Sequence, residues 1–229
     1  MILTAESLAA MIDQSKLPPT VTEQEVVEFC ATVRRYRFGT AYVLPVHLKL
    51  MREQLHGSGV KLGTGISFPF GTCTTEVKLF ECESVLRMGA QEVDVVTNMG
   101  ALKSGNDELF IEELKALAEL SGSAPLKTIL EVGYLTEEEL ARGTRLCCRA
   151  GVQYVKTGTG FGPRPATFQD IRIVKGNLSG ETRIKVAGGV SDIDTLLEML
   201  REGVDRFGVS RGDQIMDQFQ EKYGGELEV

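Results

Sequence analysis

Lys156 and Lys185 each stand in a short apolar run that gives way to glycine, in Val155-Lys156-Thr157-Gly158-Thr159-Gly160 and Ile184-Lys185-Val186-Ala187-Gly188-Gly189. A lysine on a buried strand is costly unless it is neutral or paired, and a neutral amine attacks carbonyl carbon. Free lysine titrates near 10.4, so only about one in 2,500 is neutral at pH 7. A reactive Lys156 therefore needs partial burial and a second ammonium close by, and Lys185 could be that neighbour. The same placement also fits an amine that snorkels to solvent, or one held in an ion pair.

The elements around these residues follow from pattern. Strands are expected over 11–15, 39–44, 60–68, 92–96, 126–131, 152–156, 182–187 and 206–209. Helices are expected over 20–37, 46–56, 72–88, 107–120, 136–150, 166–176 and 191–201, with a last one starting near Asp213. Thr22 and Glu25 form a capping box, and Thr72 is the expected cap of the helix after it. Val77, Phe80, Val85 and Met88 are the expected stripe of that helix, and Leu109, Leu114 and Leu117 the inward residues of the next. Strict alternation of strand and helix makes the strands parallel. Units of roughly 22 to 35 residues without a linker predict one (β/α)₈ TIM barrel, an α/β domain spanning residues 1–229, near the lower size limit of that fold. An open doubly wound sheet is the alternative.

In such a barrel the strand C-termini converge on one mouth. Asp13, Asp94, Glu131, Lys156 and Lys185 are the polar residues expected there, each on a mostly apolar strand. Several ionisable groups on neighbouring strands suggest proton-transfer chemistry. The turns Gly158-Thr159-Gly160-Phe161-Gly162, Gly188-Gly189 and Gly208-Val209-Ser210-Arg211-Gly212 follow the last three strands. They fit a phosphate site built from backbone N–H groups, or simply tight turns needing positive φ. The first is not a dinucleotide fingerprint, since its spacing is G-x-G-x-G and Pro163 and Pro165 bar an immediate helix. With only His47 and His56, both expected on a surface helix, neither a Ser–His–Asp set nor a histidine metal site is available.

These stretches resemble the deoxyribose-phosphate aldolase family. Val155 to Phe161 is similar to its Schiff-base lysine motif, and Ile184 to Val190 to its second-lysine motif. Glu92 to Val96, with Thr75 to Lys78 upstream, resembles the segment of its catalytic aspartate; Leu126 to Glu131 and Arg206 to Gly208 also fit. The likeness runs in order from about residue 11 to residue 212. It implies a class I aldolase that needs no metal or other cofactor and cleaves 2-deoxy-D-ribose 5-phosphate reversibly to D-glyceraldehyde 3-phosphate and acetaldehyde. By the resemblance, Lys156 forms the imine and Asp94 and Lys185 move protons. Gly160, Gly188, Gly189 and Ser210 hold the phosphate, while Asp13, Ser15 and Thr159 line the same mouth. The chain departs from the family pattern at Gln14-Ser15, where His-Thr is common, and at Gly158, where serine is. It departs again at Arg211, where a second serine is common, and at Tyr42, where some members have cysteine. A Schiff-base aldolase for another short phosphosugar is the alternative, and a phosphometabolite-binding barrel without catalysis is a third reading.

Composition bounds the partners. The 229 residues carry a formal charge of −7, with 42% hydrophobic and 25% charged residues. That is an ordinary soluble composition, which argues against non-specific nucleic-acid binding. No apolar run reaches membrane-spanning length, and residues 1–6 lack a signal-peptide pattern. The five cysteines show no paired spacing and are expected to be reduced thiols in the cytoplasm. The expected partner is a small phosphorylated sugar, with a homo-oligomer, dimer or tetramer, as the assembly.

Overall fold

The computed structural model describes residues 2–229. The chain runs β1 (Ile2–Thr4), α1 (Ala5–Ala10), β2 (Ile12–Lys16), α2 (Glu23–Tyr36), β3 (Thr40–Val43), α3 (Leu48–Gln54) and β4 (Lys61–Ile66). It continues α4 (Thr75–Met88), β5 (Glu92–Val96), α5 (Met99–Lys103), α6 (Asp107–Ser121), β6 (Leu126–Ile129), α7 (Glu137–Arg149) and β7 (Tyr154–Lys156). The remainder is α8 (Phe168–Asn177), β8 (Arg183–Ala187), α9 (Ile193–Arg201), β9 (Arg206–Val209), α10 (Gly212–Tyr223) and β10 (Glu226–Glu228). Strands β2 to β9 pair in parallel, each with its neighbours, and β9 closes on β2. This is the (β/α)₈ barrel that the alternation predicts.

Four short elements lie outside the expected set. β1 and β10 pair antiparallel, Leu3 opposite Leu227, and α1 and α5 are short additions. All are three to six residues long, too short for a periodic signal. The expected helix over 46–56 is split into a 3₁₀ turn at Pro45–His47 and α3.

The two faces of the barrel strands differ sharply. Outward residues such as Val93, Val95, Val155, Ile184, Val186 and Phe207 are fully buried under the helices and make the core. Inward residues are mostly polar, whereas barrels of this class usually fill their interior with branched apolar side chains. Room for them comes from glycine. A Cβ on Gly63 would lie 2.4 Å from Cζ of Tyr42, and one on Gly208 would lie 2.9 Å from Cβ of Ala187 and 3.2 Å from Cε of Lys185.

Thr22 and Glu25 make the expected capping box, and Thr136 makes another with Glu139. The start of α4 needs correcting: its cap is Thr74, not Thr72. Gly71 passes so close to β5 that a Cβ would lie 2.4 Å from the Thr97 carbonyl oxygen, so the chain clears the sheet before the helix begins. The expected stripe of α4 holds only in part: Val85 is buried and Met88 packs against the core, but Val77 and Phe80 are 45% and 65% exposed. Its buried face is Lys78, Cys82 and Val85, and Lys78 is buried because Glu113 of α6 lies 2.6 Å from Nζ and the Val96 carbonyl 3.0 Å away. Likewise Leu109 is 40% exposed, and Phe110 takes its place inward.

Lys78 and Glu113 are both completely enclosed, and Thr75 Oγ1 donates to Glu113 at 2.9 Å. Removing one partner leaves the other as an uncompensated buried charge. Lys78→Met is expected to destabilise the fold by about 3–5 kcal/mol, and Lys78→Met with Glu113→Leu by distinctly less. Urea unfolding of the two variants measures the difference.

Candidate active site

A pocket of about 510 Å³ opens at the C-terminal ends of the barrel strands. Its floor holds Asp13, Tyr42, Asp94, Lys156 and Lys185, and Gly160, Gly188, Gly189, Ser210 and Arg211 line the same space. Strand alternation explains the floor. Asp94 of β5, Lys156 of β7 and Lys185 of β8 share the inward parity of their strands, and register sets Lys156 beside Lys185.

Asp94 is the hub. Lys156 Nζ donates to its Oδ2 at 2.7 Å and Lys185 Nζ to the same oxygen at 2.8 Å. Its Oδ1 accepts from the Tyr42 hydroxyl at 2.9 Å. Lys185 also pairs with Asp13 Oδ2 at 2.7 Å. Below lies a second tier that the sequence reading did not include. Lys127 Nζ donates to Asp13 Oδ2 at 2.9 Å and to the Tyr42 oxygen at 2.8 Å, and it pairs with Glu92. Arg206 donates to Asp13 Oδ1, and to Thr40 Oγ1 at 2.8 Å. The interior thus joins four cations (Lys127, Lys156, Lys185, Arg206) to three carboxylates (Asp13, Glu92, Asp94).

Electrostatics divides these groups. Burial alone would raise the Asp94 carboxyl, but Lys156 and Lys185 outweigh it and hold the group well below the usual carboxylate range. Asp13 is held low in the same way by Lys127, Lys185 and Arg206. Burial lowers Lys185 to about 8; Asp13 and Asp94 oppose that shift, and Lys127 and Lys156 add to it. Lys127 stays above its ordinary value because Asp13, Asp94 and Glu92 overcome its burial. Lys156 keeps 4% of its surface exposed, against 1% for Lys185.

The other expected site residues divide. Ser15 Oγ donates to the Val209 carbonyl at 3.1 Å and stands at the pocket wall. Gly160, Gly188 and Gly189 have φ of 87°, 79° and 102°, so the tight-turn reading holds for them as well as their place on the pocket. Glu131 does not join the floor. Its φ of 54° breaks the strand alternation and turns it into the loop after β7. There it accepts from Thr159 N at 3.0 Å and from Thr159 Oγ1. A Cβ on Gly158 would lie 2.8 Å, and one on Gly162 2.5 Å, from Glu131 Oε1. Gly158 is therefore explained by the Glu131 carboxylate, and the Thr159 hydroxyl is occupied in building the loop. Gln14 ties β2 to the last turn, donating to the Ser210 carbonyl at 3.1 Å and accepting from Gly212 N at 2.9 Å. His56 is exposed and His47 half-buried on the α3 side, away from the pocket.

A family model described as DeoC/LacD family aldolase matches residues 7–217. The chain belongs to the DeoC/LacD aldolase family. This aldolase is 36% identical over 221 residues to a deoxyribose-phosphate aldolase of Bacteroides thetaiotaomicron, covering 96% of this chain and 93% of that protein. It is 37% identical over 212 residues to a deoxyribose-phosphate aldolase of Geobacillus sp., covering 92% and 95%. The solved deoxyribose phosphate aldolase of Aeropyrum pernix, described as a unique tetrameric structure, superposes with a TM-score of 0.86 at 28% identity. It covers 95% of this chain and 92% of that one. The aldolase is accordingly an enzyme of the lyase class. Among its described residues no helix is long and apolar enough to cross a membrane. Its five cysteines are all free, with Cys30, Cys82 and Cys147 buried.

Two signals could have revealed the second tier of the aldolase's interior. Lys127 and Glu92 lie on inward parity, two residues before Ile129 and Asp94 on their own strands. A charge in the middle of an otherwise apolar strand needs a partner, and two such charges on adjacent strands would serve each other.

Proposed function

We propose that this protein is a class I aldolase that cleaves 2-deoxy-D-ribose 5-phosphate to D-glyceraldehyde 3-phosphate and acetaldehyde through an imine at Lys156. The observation that carries the reading is the convergence of Lys156 and Lys185 on Asp94 Oδ2, 2.7 and 2.8 Å away, at the floor of an open pocket. A structural ion pair needs one amine per carboxylate. Two amines on one oxygen let a proton pass between them, so that one can be neutral while the other is an acid.

Lys156, the more exposed amine, attacks C1 of the open-chain sugar, and loss of water leaves a protonated imine. A base takes the C3 hydroxyl proton, the C2–C3 electron pair flows into the imine, and the three-carbon aldehyde departs. The enamine then takes a proton at C2, and water releases acetaldehyde and the free amine. Asp94 and Lys185 carry both protons. The turns at Gly160, Gly188, Gly189 and Ser210 hold the phosphate and orient the reacting carbon. The whole chain acts as one catalytic unit, and as a homo-oligomer.

Borohydride reduction in the presence of the sugar phosphate tests this reading. Mass added at Lys156 is expected; mass at Lys185 instead would overturn the assignment. A pH dependence follows from Lys185. An amine lowered to about 8 is protonated below that pH and neutral above it. A protonated Lys185 cannot accept the proton that Lys156 must lose, so kcat/KM is expected to rise about tenfold per pH unit up to a limb near pH 8. Initial rates from pH 5.5 to 9 measure it, and a flat profile contradicts the shared-proton scheme.

Arg211 favours a second reading, an aldolase for another short phosphosugar. It is exposed on the pocket wall, where a guanidinium would add a fork of donors to the anion site. Gly158 no longer supports that reading, since Glu131 accounts for it. A panel of phosphosugars decides between them: the highest kcat/KM belongs to 2-deoxyribose 5-phosphate if the first reading holds.

A further inference from the structure

We propose that Tyr42 is a positioning residue of the imine site: its hydroxyl fixes Asp94 so that one carboxylate oxygen faces both lysines, and its ring seats the Lys185 ammonium. The inference rests on the imine reading of Lys156 and deepens it.

Tyr42 is inward on β3 and 3% exposed. Around it stand Asp13 of β2, Glu92 and Asp94 of β5, Lys127 of β6, Lys156 of β7, Lys185 of β8 and Arg206 of β9, while β4 contributes Gly63 opposite the ring. Lys61 at the outer end of β4 reaches only Glu92, at 3.5 Å. A phenol has one proton to give. Asp94 Oδ1 is 2.9 Å away and Glu92 Oε2 is 3.3 Å, so the proton belongs to Asp94. Lys127, which can only donate, fills the oxygen lone pair at 2.8 Å. Burial first, then the charges of Asp94, Asp13 and Glu92, hold the phenol protonated well above its ordinary value, so it remains a donor at any working pH. The ring face lies 4.0 Å from Lys185 Nζ, within cation–π range.

The arrangement sets the carboxylate plane. With Oδ1 held by the phenol, Oδ2 is left to Lys156 and Lys185 together. The donated hydrogen bond also spreads the Asp94 charge, so Asp94 grips the two ammonium protons less tightly. Without the hydroxyl, Lys185 needs a higher pH to become neutral and to accept the proton that Lys156 must lose. Tyr42→Phe keeps the ring and the fit to Gly63 and removes only the hydroxyl; Lys127 loses that one acceptor but keeps Asp13 and Glu92.

The test compares wild type with Tyr42→Phe. Acetaldehyde is the trapping probe, borohydride reduction is run from pH 5.5 to 9, and peptide mass spectrometry reads Lys156. Trapped protein counts the competent sites, so that kcat is given per competent site. Tyr42→Phe is expected to move the acid limb of trapping and of kcat/KM up by about half to one pH unit. It should lower kcat about tenfold and leave KM within about twofold, because the glycine turns are untouched. If wild type is trapped at Lys156 and the variant gives the same limb, with kcat within about twofold, Tyr42 positions nothing. A lowered Tm with an unchanged profile would make it a packing residue only and also overturn the proposal. If wild type is not trapped at Lys156, the imine reading fails by itself. Tyr42 is then judged by the Lys185 midpoint from NMR of ¹³Cε-labelled lysine, which the proposal requires to rise in Tyr42→Phe and which, if unmoved, refutes it.

Discussion

Lys156→Ala is expected to lose sugar-phosphate cleavage by a factor on the order of 10⁴ to 10⁶, as removal of a covalent nucleophile does. The loss should be almost wholly in kcat. Nothing else on the pocket floor can replace the amine: Lys185 is 1% exposed, and its Nζ is already held by Asp13 and Asp94. The fold should persist. Asp94 keeps Lys185 at 2.8 Å and Tyr42 at 2.9 Å, so the deletion leaves no orphaned carboxylate. The backbone of the glycine turns after β7, β8 and β9 does not depend on the Lys156 amine, and binding of the substrate, measured by calorimetry with the inactive variant, should stay within a few fold of the wild-type KM. Residual activity above about a hundredth of wild type would mean that another amine does the chemistry.

Asp94→Asn is the second large effect, and it differs in kind. The substitution keeps shape but removes the charge that holds two ammonium groups in one place. Four cations would then face two carboxylates in the barrel interior. Asp94 is one of the groups that hold the Lys185 proton, so Lys185 becomes neutral more readily without that charge, and an imine can still form at Lys156. What is lost is the carrier that moves a proton from the sugar hydroxyl to C2. A fall in kcat of about 10²- to 10³-fold is expected, the range for loss of a general acid–base group, with little change in KM. Borohydride should still modify Lys156 in this variant. Equal loss of trapping and turnover would assign Asp94 to imine formation instead.

The barrel and its mouth were legible from alternation. Apolar strands and amphipathic helices alternate along the chain, and Asp94, Lys156 and Lys185 sit on strands whose parity can be counted. The errors arose where counting fails. Glu131 was placed at the mouth because it continues the run from Leu126, but β6 ends at Ile129 and positive φ at Glu131 reverses the side chain. Periodicity puts Val77 and Phe80 in the core because apolar residues usually mark the buried face of a helix. Here a lysine holds that face, and only its partner Glu113, 35 positions away, makes the burial affordable. Lys127, Arg206 and Tyr42 carry no site role in the sequence reading for a similar reason. Their roles depend on neighbours across the barrel, and no local window contains both members of such a pair.

Gly63 has a consequence for how this interior can change over generations. The ring at position 42 occupies the space where any side chain at 63 would have to begin. The two sites are therefore not free to drift separately. A lineage could shrink residue 42 first and enlarge residue 63 afterwards, but the reverse order passes through a steric clash. Ancestral reconstructions or mutant libraries of this barrel should find the door open from one side only.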